Sequence, residues 1–417
     1  MSFDQYSVHP KCLTVLRDQK LTEPTAVQAE VLPAALEGQD VLVAAQTGTG
    51  KTLAFTLPSM THLASLKPGA QHMLVLTPTR ELAIQVHKVV EPFAKALRLN
   101  TVCLYGGAAM DPQVRMLRRG CDIVIATPGR LMDHMARRNT RFDQLAVLVL
   151  DEADRMLDMG FLPDVRKIVA ALPKERQTMM FSATFPKAME ELAGEFLVEP
   201  LRIEVGNTAV PVQNIAQRVF AVNTEDKTKL LSTLLSGPEI KSAIIFSRTQ
   251  HRTDRLAKQL EQMGFRADAI HGGRSQAQRQ RTLDGFRRGK FNILAATDVA
   301  SRGIDVQGIS HVVNFDIPRS YDDYVHRIGR TARANAQGDA ITFVCHQDLK
   351  ELREIEKGLG APIPREHWDG AIHLPGAERE KRATQPANRK NKPWTRNRPQ
   401  APRRPSQKTS NRRTNAA

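Results

Sequence analysis

Val41-Leu42-Val43-Ala44-Ala45-Gln46-Thr47-Gly48-Thr49-Gly50-Lys51-Thr52 is the stretch that decides how the rest of the chain is read. Its first five residues are apolar without alternation, the pattern of a strand buried on both faces. A short run rich in glycine and threonine follows, and then a helix-like stretch. Strand, glycine loop and helix in that order place backbone N–H groups at a helix N-terminus, where they can curl around phosphate oxygens. Ala45 stands where such P-loops usually carry their first glycine. Gln46, Thr47, Gly48, Thr49 and Gly50 would form the cradle, Lys51 would reach the β- and γ-phosphates, and the Thr52 hydroxyl would ligate Mg2+.

Outward from this loop, short apolar runs recur at 73–77, 101–105, 121–126, 145–150, 178–181 and 201–205. A second block has runs at 215–222, 242–246, 266–270, 291–295, 311–315 and 340–344. Helix-like stretches separate them, which predicts mostly parallel sheets built from βαβ units and flanked by helices. The turn-prone segment 206–211 breaks the pattern. The expected organisation is a first α/β domain over 1–206, a linker over 207–214, a second α/β domain over 215–360 and a tail over 361–417. With 417 residues, two such domains are each long enough for a real core.

Asp151-Glu152-Ala153-Asp154 directly follows the buried run 145–150. Carboxylates at the C-terminal end of a parallel strand face the ligand crevice. Asp151 is expected to hold the metal, directly or through water, and Glu152 to orient and deprotonate an attacking water. Joined to an upstream P-loop, these carboxylates point to hydrolysis of a nucleoside triphosphate.

Composition narrows the setting. No apolar run is long enough to span a bilayer, and Met1-Ser2-Phe3-Asp4-Gln5 has neither the basic nor the apolar region of a leader. Cys12, Cys103, Cys121 and Cys345 are scattered, so they read as reduced thiols of a cytoplasmic protein and argue against zinc. Of the net charge of +16, twelve Lys or Arg lie in residues 381–417, which hold no Asp or Glu. That segment cannot bury enough apolar surface to offset its ordering entropy and is expected to be a disordered basic tail. The tail would attract phosphates in a salt-sensitive way, or serve only to solubilise the chain. No coiled-coil repeat is visible, so the core is expected to be monomeric.

The motif Asp151-Glu152-Ala153-Asp154, with the P-loop before it, makes the chain resemble the DEAD-box RNA helicases from Phe3 to about Val344. The resemblance implies two tandem RecA-like domains that close over ATP, with Mg2+, and a single RNA strand. It implies adenine contacts from Gln28 and Phe3. Asp154, Ser182 and Thr184 would couple the acidic motif to the other domain. The segment Tyr324–Arg333 is similar to the last motif of the family, which makes Arg330 and Arg333 the arginine fingers. His326 and Arg327 would bridge to the acidic and Ser-Ala-Thr motifs. Gly303 and Asp305 would approach the nucleotide ribose. The family usually has glycine where Ala332 stands, and an ordinary negative φ is expected there. The compact core, Ser301–Asp305 and the basic tail are most similar to the bacterial RhlE-type group.

The expected RNA track follows the same strand ends. In the first domain it comprises Pro78, Thr79, Arg80, Gly106, Gly107, Thr127, Pro128, Gly129 and Arg130. In the second it comprises Arg248, Thr249, His271, Gly272, Gln276, Arg279, Thr297 and Asp298. Phosphate and sugar contacts through these groups would carry little sequence preference, and no aromatic platform is present for stacking. Half of the site lies in each domain, so hydrolysis would require closure, which bound RNA can drive. Rival readings are an ATP-gated RNA clamp, an RNA chaperone acting through the tail, and a DNA helicase. Ribosomal-precursor and RNA-decay complexes are both open as partners.

Overall fold

The structure is a computed structural model that describes residues 2–45, 48–183, 187–205, 215–298, 309–332, 337–369 and 371–372. The first lobe holds strands β1 (Val41–Ala45), β2 (Met73–Leu76), β3 (Thr101–Leu104), β4 (Ile123–Ala126), β5 (Val147–Leu150), β6 (Gln177–Ser182) and β7 (Leu201–Val205). They form one seven-stranded sheet in the order β3-β4-β2-β5-β6-β1-β7, and every pairing is parallel. Helices α1 (Pro10–Asp18), α2 (Ala26–Leu36), α3 (Lys51–Leu63), α4 (Arg80–Leu97), α5 (Met110–Arg118), α6 (Pro128–Ala136), α7 (Ala153–Asp158), α8 (Leu162–Ala170) and α9 (Lys187–Phe196) connect and cover it.

The sheet is buried on both sides. Val41, Val43, Val75, Val149 and Phe181 join one core with Phe55 and Phe93. Their strand neighbours Leu42, Leu74, Leu148 and Met180 join the other with Leu117 and Leu131. Uninterrupted apolar strands are what a two-sided core requires. Because all strands run the same way, the loops that follow them emerge at one edge, and the candidate site is assembled there.

The second lobe repeats the plan with β8 (Ile215–Ala221), β9 (Ala243–Phe246), β10 (Ala267–Ile270), β11 (Ile293–Ala296), β12 (His311–Asn314), β13 (Gly338–Val344) and β14 (Arg365–Glu366). Its helices include α10 (Lys227–Leu235), α11 (Gln250–Gln262) and α12 (Gln276–Arg287), with two more over Tyr321–Ile328 and Leu349–Leu359. The strand order is β10-β11-β9-β12-β13-β8-β14, again all parallel. Counting β8 as the first strand of this lobe, the order is the same as in the first.

One boundary moves. The tail was expected to open at 361, yet β14 pairs with β8, Ile363 is buried, and Trp368 packs on the core of the lobe. A bridge between Val222 and Ala371 extends the contact. Ile363, Trp368 and Ile372 are too widely spaced in a polar stretch to read as a strand. The expected linker 207–214 and the tail beyond 372 lie outside the described residues. Among the described residues no helix is long and apolar enough to cross a membrane.

Candidate active site

The P-loop region follows β1 and leads into α3, of which Lys51 is the first residue. Gln46 and Thr47 lie outside the described residues. Gly50 has φ 94°, and a Cβ there would come within 2.4 Å of Gln28 Nε2, so glycine is required twice over. Gln28 is buried behind the loop. Its Nε2 donates to the Gly50 carbonyl at 3.0 Å, and its Oε1 accepts from Thr25 N at 2.9 Å. The Thr25 hydroxyl donates to the Thr49 carbonyl at 2.7 Å. Gln28 thus ties the start of α2 to the loop with the same amide that was expected to read adenine. Phe3 departs from its expected role. Its ring lies in the core of the first lobe with Val8 and Cys12 and offers no open face for stacking.

Lys51 Nζ donates to the Ala45 carbonyl at 2.8 Å. Asp151 follows β5, is buried, and its Oδ1 has no hydrogen-bond donor among the described residues. Burial pushes its carboxyl up to about 7, against the opposing charge of Lys51. A buried carboxylate oxygen without a donor is costly unless a cation satisfies it. Asp151, with Thr52 on the first turn of α3, therefore fits Mg2+. Glu152 sits in the left-handed region at φ 53° and ψ 52°, at the N-cap of α7. A non-glycine residue pays for that conformation, and such strain concentrates at functional sites. Burial alone would raise Glu152, but the charges of Arg155, Lys51 and Arg330 prevail and hold it down to about 2. Asp154 Oδ2 accepts from Ala183 N at 2.9 Å, which joins the acidic turn to the end of β6 at buried Ser182. Thr184 lies outside the described residues.

The second lobe brings Arg330 and His326 to this cluster. A cavity between the lobes is lined by Arg155 from the first and by Asp298, Asp323, His326, Arg327 and Arg330 from the second. Arg330 Nε donates to the His326 carbonyl at 3.1 Å, and its charge acts on Glu152 across the cleft. Burial, aided by Arg155, lowers His326 to about 4, so the ring is neutral at pH 7. Arg155 is nearly inaccessible and pairs with Glu152. It was not among the expected residues; its only signal is a basic side chain one helical turn after Glu152.

Arg327 works differently from its expected bridging role. Its guanidinium binds Asp298 through two bonds of 2.6 and 2.8 Å, and Nη1 donates to Asn314 Oδ1 and to the Asp316 carbonyl. All of these partners belong to the second lobe, so Arg327 braces that lobe internally. Asp298, expected on the RNA side, is its partner. Arg333, Gly303 and Asp305 lie outside the described residues. Ala332 has φ 53°, which overturns the negative value expected. The Thr331 hydroxyl donates to the Ile309 and Ser310 carbonyls and anchors the chain just before it. The turn must then be made at Ala332.

Two family models match: DEAD/DEAH box helicase over residues 25–192 and Helicase conserved C-terminal domain over 226–335. The solved structure of S. cerevisiae Dbp5 bound to RNA and ADP BeF3 is 31% identical, with a TM-score of 0.78 over 88% of this chain and 95% of that one. The chain belongs to the DEAD-box helicase family. It is also similar to DEAD-box ATP-dependent RNA helicase 14 of Arabidopsis thaliana, 44% identical over 87% of this chain and 60% of the relative. The probable ATP-dependent RNA helicase DDX17 of Homo sapiens is 46% identical over 86% of this chain and 50% of the relative. The chain thus spans about half to three-fifths of these curated relatives.

The residues that match the RNA-facing motifs of the family mostly have partners inside the fold. Pro78 precedes Thr79, whose hydroxyl caps α4 by accepting from Leu82 N. Arg80 lies over Gly106 and Gly107, where a Cβ on Gly107 would come within 2.1 Å of Nη1. Thr127, Pro128 and Gly129 start α6, and Arg130 donates twice to the Ala108 carbonyl at 3.1 and 3.2 Å. The two arginines thereby shape the loop that follows β3. In the second lobe Arg248 N donates to Asp316, Thr249 caps α11, and His271 Nε2 lies 2.9 Å from Asp254. Gly272 is exposed, Thr297 is buried, and Gln276 opens α12 with its Oε1 buried and lacking a donor among the described residues.

Arg279 is the exception of consequence. Its Nη2 meets Glu81 Oε2 of the first lobe at 2.9 Å, with the two side chains 7% and 6% exposed. It clamps one lobe to the other directly. Glu81 was not an expected site residue, because a glutamate in a first helical turn has an ordinary reason to be there.

Proposed function

We propose that this protein is an ATP-dependent RNA helicase whose ATP hydrolysis is stimulated by RNA. One observation supports this most: Glu152, buried with Lys51 and Asp151 in the first lobe, feels the charge of Arg330 from the second. Neither lobe carries the whole set. The P-loop amides and Lys51 would hold the phosphates, with Asp151 and Thr52 ligating Mg2+. That ion, when bound, would neutralise charge on the β- and γ-phosphoryl oxygens. Glu152 would orient the attacking water through its carboxylate. Arg330, with Arg333, would stabilise the charge that spreads over the transferred phosphoryl group.

Residues 207–214 would be the hinge between the lobes. RNA lying across both strand-end edges would favour the closed arrangement, and hydrolysis would reset it. The work would be local unwinding of short duplexes or remodelling of RNA–protein complexes. Scattered reduced cysteines agree with a cytoplasmic setting. The narrower RhlE-type affiliation rests on the compact core, Ser301–Asp305 and the basic tail, since the relatives described above are eukaryotic and lend it nothing.

The test is ATP turnover with and without single-stranded RNA. RNA is expected to raise turnover strongly. Glu152→Gln should lose roughly 10²-fold or more of the stimulated rate, and Arg330→Ala roughly 10³-fold. Turnover indifferent to RNA would overturn the reading.

A further inference from the structure

Helices α5 and α6 follow the adjacent strands β3 and β4, so both begin at the site edge and end at the opposite edge of the sheet. Gln113 and His134 link them side by side at 3.3 Å. Their last turns and the following residues carry Arg115, Arg118, Arg119, Arg137, Arg138 and Arg141, all exposed. None forms an ion pair with a described residue, whereas the exposed Arg17, Arg166 and Arg202 each meet a carboxylate within 3.0 Å. The acids of these segments offer only partial compensation, since Asp111 lies in the first turn of α5 and Asp143 is an exposed carboxylate close in sequence to the patch. Asp122 is buried and bonded to the backbone N–H of Gly69 and Asn100, and Asp133 faces Arg130.

Cations at helix C-termini favour the helix dipole, which accounts for one or two such residues per helix. It does not account for Arg138 and Arg141, which lie beyond the capping residues Arg119 and Arg137. Arg138 moreover occupies φ 55°, a position where glycine would be less strained. Every cation here is arginine, the side chain whose planar fork suits phosphate. Met116 is the one large apolar side chain exposed on the patch, so it lacks the anchors of a protein interface.

We propose that this arginine surface is a second nucleic-acid site that grips the backbone of an RNA arm leaving the helicase groove. The inference rests on the RNA reading above. Gly106 and Gly107 lie immediately before α5, and a nine-residue helix is about 13 Å long. A strand or duplex arm leaving the groove at that loop would therefore meet the patch within one helix length. The surface would raise the affinity for long RNA without touching the reacting groups.

The test uses the full chain and the variant Arg115→Gln/Arg118→Gln/Arg119→Gln/Arg137→Gln, with fluorescence anisotropy and ATPase as readouts. For a 40-nucleotide RNA the variant should bind roughly tenfold more weakly, with a salt slope shallower by about 2, as expected for about three lost phosphate contacts. For a 10-nucleotide RNA, affinity and stimulated turnover should be unchanged. Equal weakening for both RNAs would mean a general field effect and overturn the proposal, as would no weakening for either. A poly-glutamate chain that displaces the long RNA from wild type but not from the variant would assign the patch to acidic protein and also overturn it. Wild-type turnover indifferent to the short RNA would instead sink the underlying RNA reading. Circular dichroism melting verifies that the variant is folded, and the fourfold Arg→Lys variant, which keeps the charge, should retain most of the long-RNA affinity.

Discussion

The two lobes share one strand order and diverge at the turn after their first strand. In the first lobe, Gly48 and Gly50 turn through φ 88° and 94°, and Lys51-Thr52 opens α3. In the second lobe, Lys227-Thr228 opens α10 at the equivalent place, but the residues before it contain no glycine. The aspartates match as well. Asp151 follows β5 and donates its N–H to the last residue of β2 at 3.0 Å; Asp316 follows β12 and donates to the last residue of β9 at 3.1 Å. The difference lies in how the charges are satisfied. Lys227 Nζ donates to the Phe315 carbonyl and lies 3.7 and 3.8 Å from Asp316 and Asp348. Asp316 also accepts from Arg248 N and meets Arg252 at 3.2 Å. The second-lobe lysine–carboxylate framework is tied up by partners within the lobe, whereas Asp151 has an oxygen with no donor among the described residues.

The largest test of this contrast exchanges the two lysines for alanine. Lys51→Ala should abolish measurable ATP turnover with a smaller fall in melting temperature than Lys227→Ala, since Asp151, raised to about 7, can take up a proton. Lys227→Ala should leave ATP binding to the first lobe intact but cost the second lobe about 3–5 kcal/mol, because Asp316 and Asp348 lose a buried cation. Nucleotide titration and thermal melting of both variants decide it. If Lys227→Ala melts like wild type, the framework in the second lobe is not structural.

The interlobe ion pair should give the next largest effect. Arg279→Ala leaves Glu81 buried without its cation, and closure should weaken by about 3 kcal/mol. A fluorophore pair spanning the lobes, with ATP and RNA present, would report it. Glu81→Gln with Arg279→Ala should recover part of the loss; no recovery would mean that Arg279 acts through RNA alone.

His326 makes closure sensitive to pH. Its value in the closed lobes is depressed to about 4 from an ordinary imidazole value of about 6.5. Its neutral ring is fully accommodated above the ordinary value, so closure should weaken as pH falls through 6.5 toward 4. Asp154 and Glu152 oppose this, and Arg155 and Arg330 reinforce it. In His326→Gln the acid limb of the same fluorescence assay should flatten. The smallest effect belongs to Ala332→Gly, which should raise the stability of the second lobe by about 1 kcal/mol by relieving the left-handed turn.

Much of the fold was legible. The central strands β1, β2, β4, β5, β9, β11 and β12 fall on apolar runs because a strand buried on both faces has little room for polar residues, whereas β7, with Arg202 and Glu204 exposed on the sheet edge, shows a weaker pattern. β14 did not register, since two residues on a sheet edge leave no periodicity. The glycine-threonine loop and the acidic motif were legible because their residue types and spacing are distinctive, and both fall within the matched DEAD/DEAH box helicase region. Arg155, Glu81 and the partners of Arg327 were not. Each is defined by what it meets, and a charged residue on a helix reads the same whether it faces solvent or another lobe.

By itself the sequence settled that two parallel α/β units are present and that the first carries a glycine-threonine loop between strand and helix and an acidic motif at a strand end. Those features depend on local periodicity and on chemistry confined to a few adjacent residues. Only the tertiary structure decided that the two lobes share a strand order and that Lys227 duplicates Lys51 as a closed ion pair. It also decided that Arg279 joins the lobes and that Ala332 turns left-handed. Each depends on which groups, distant in the chain, compete for the same donor or acceptor, and that competition exists only once the chain has folded.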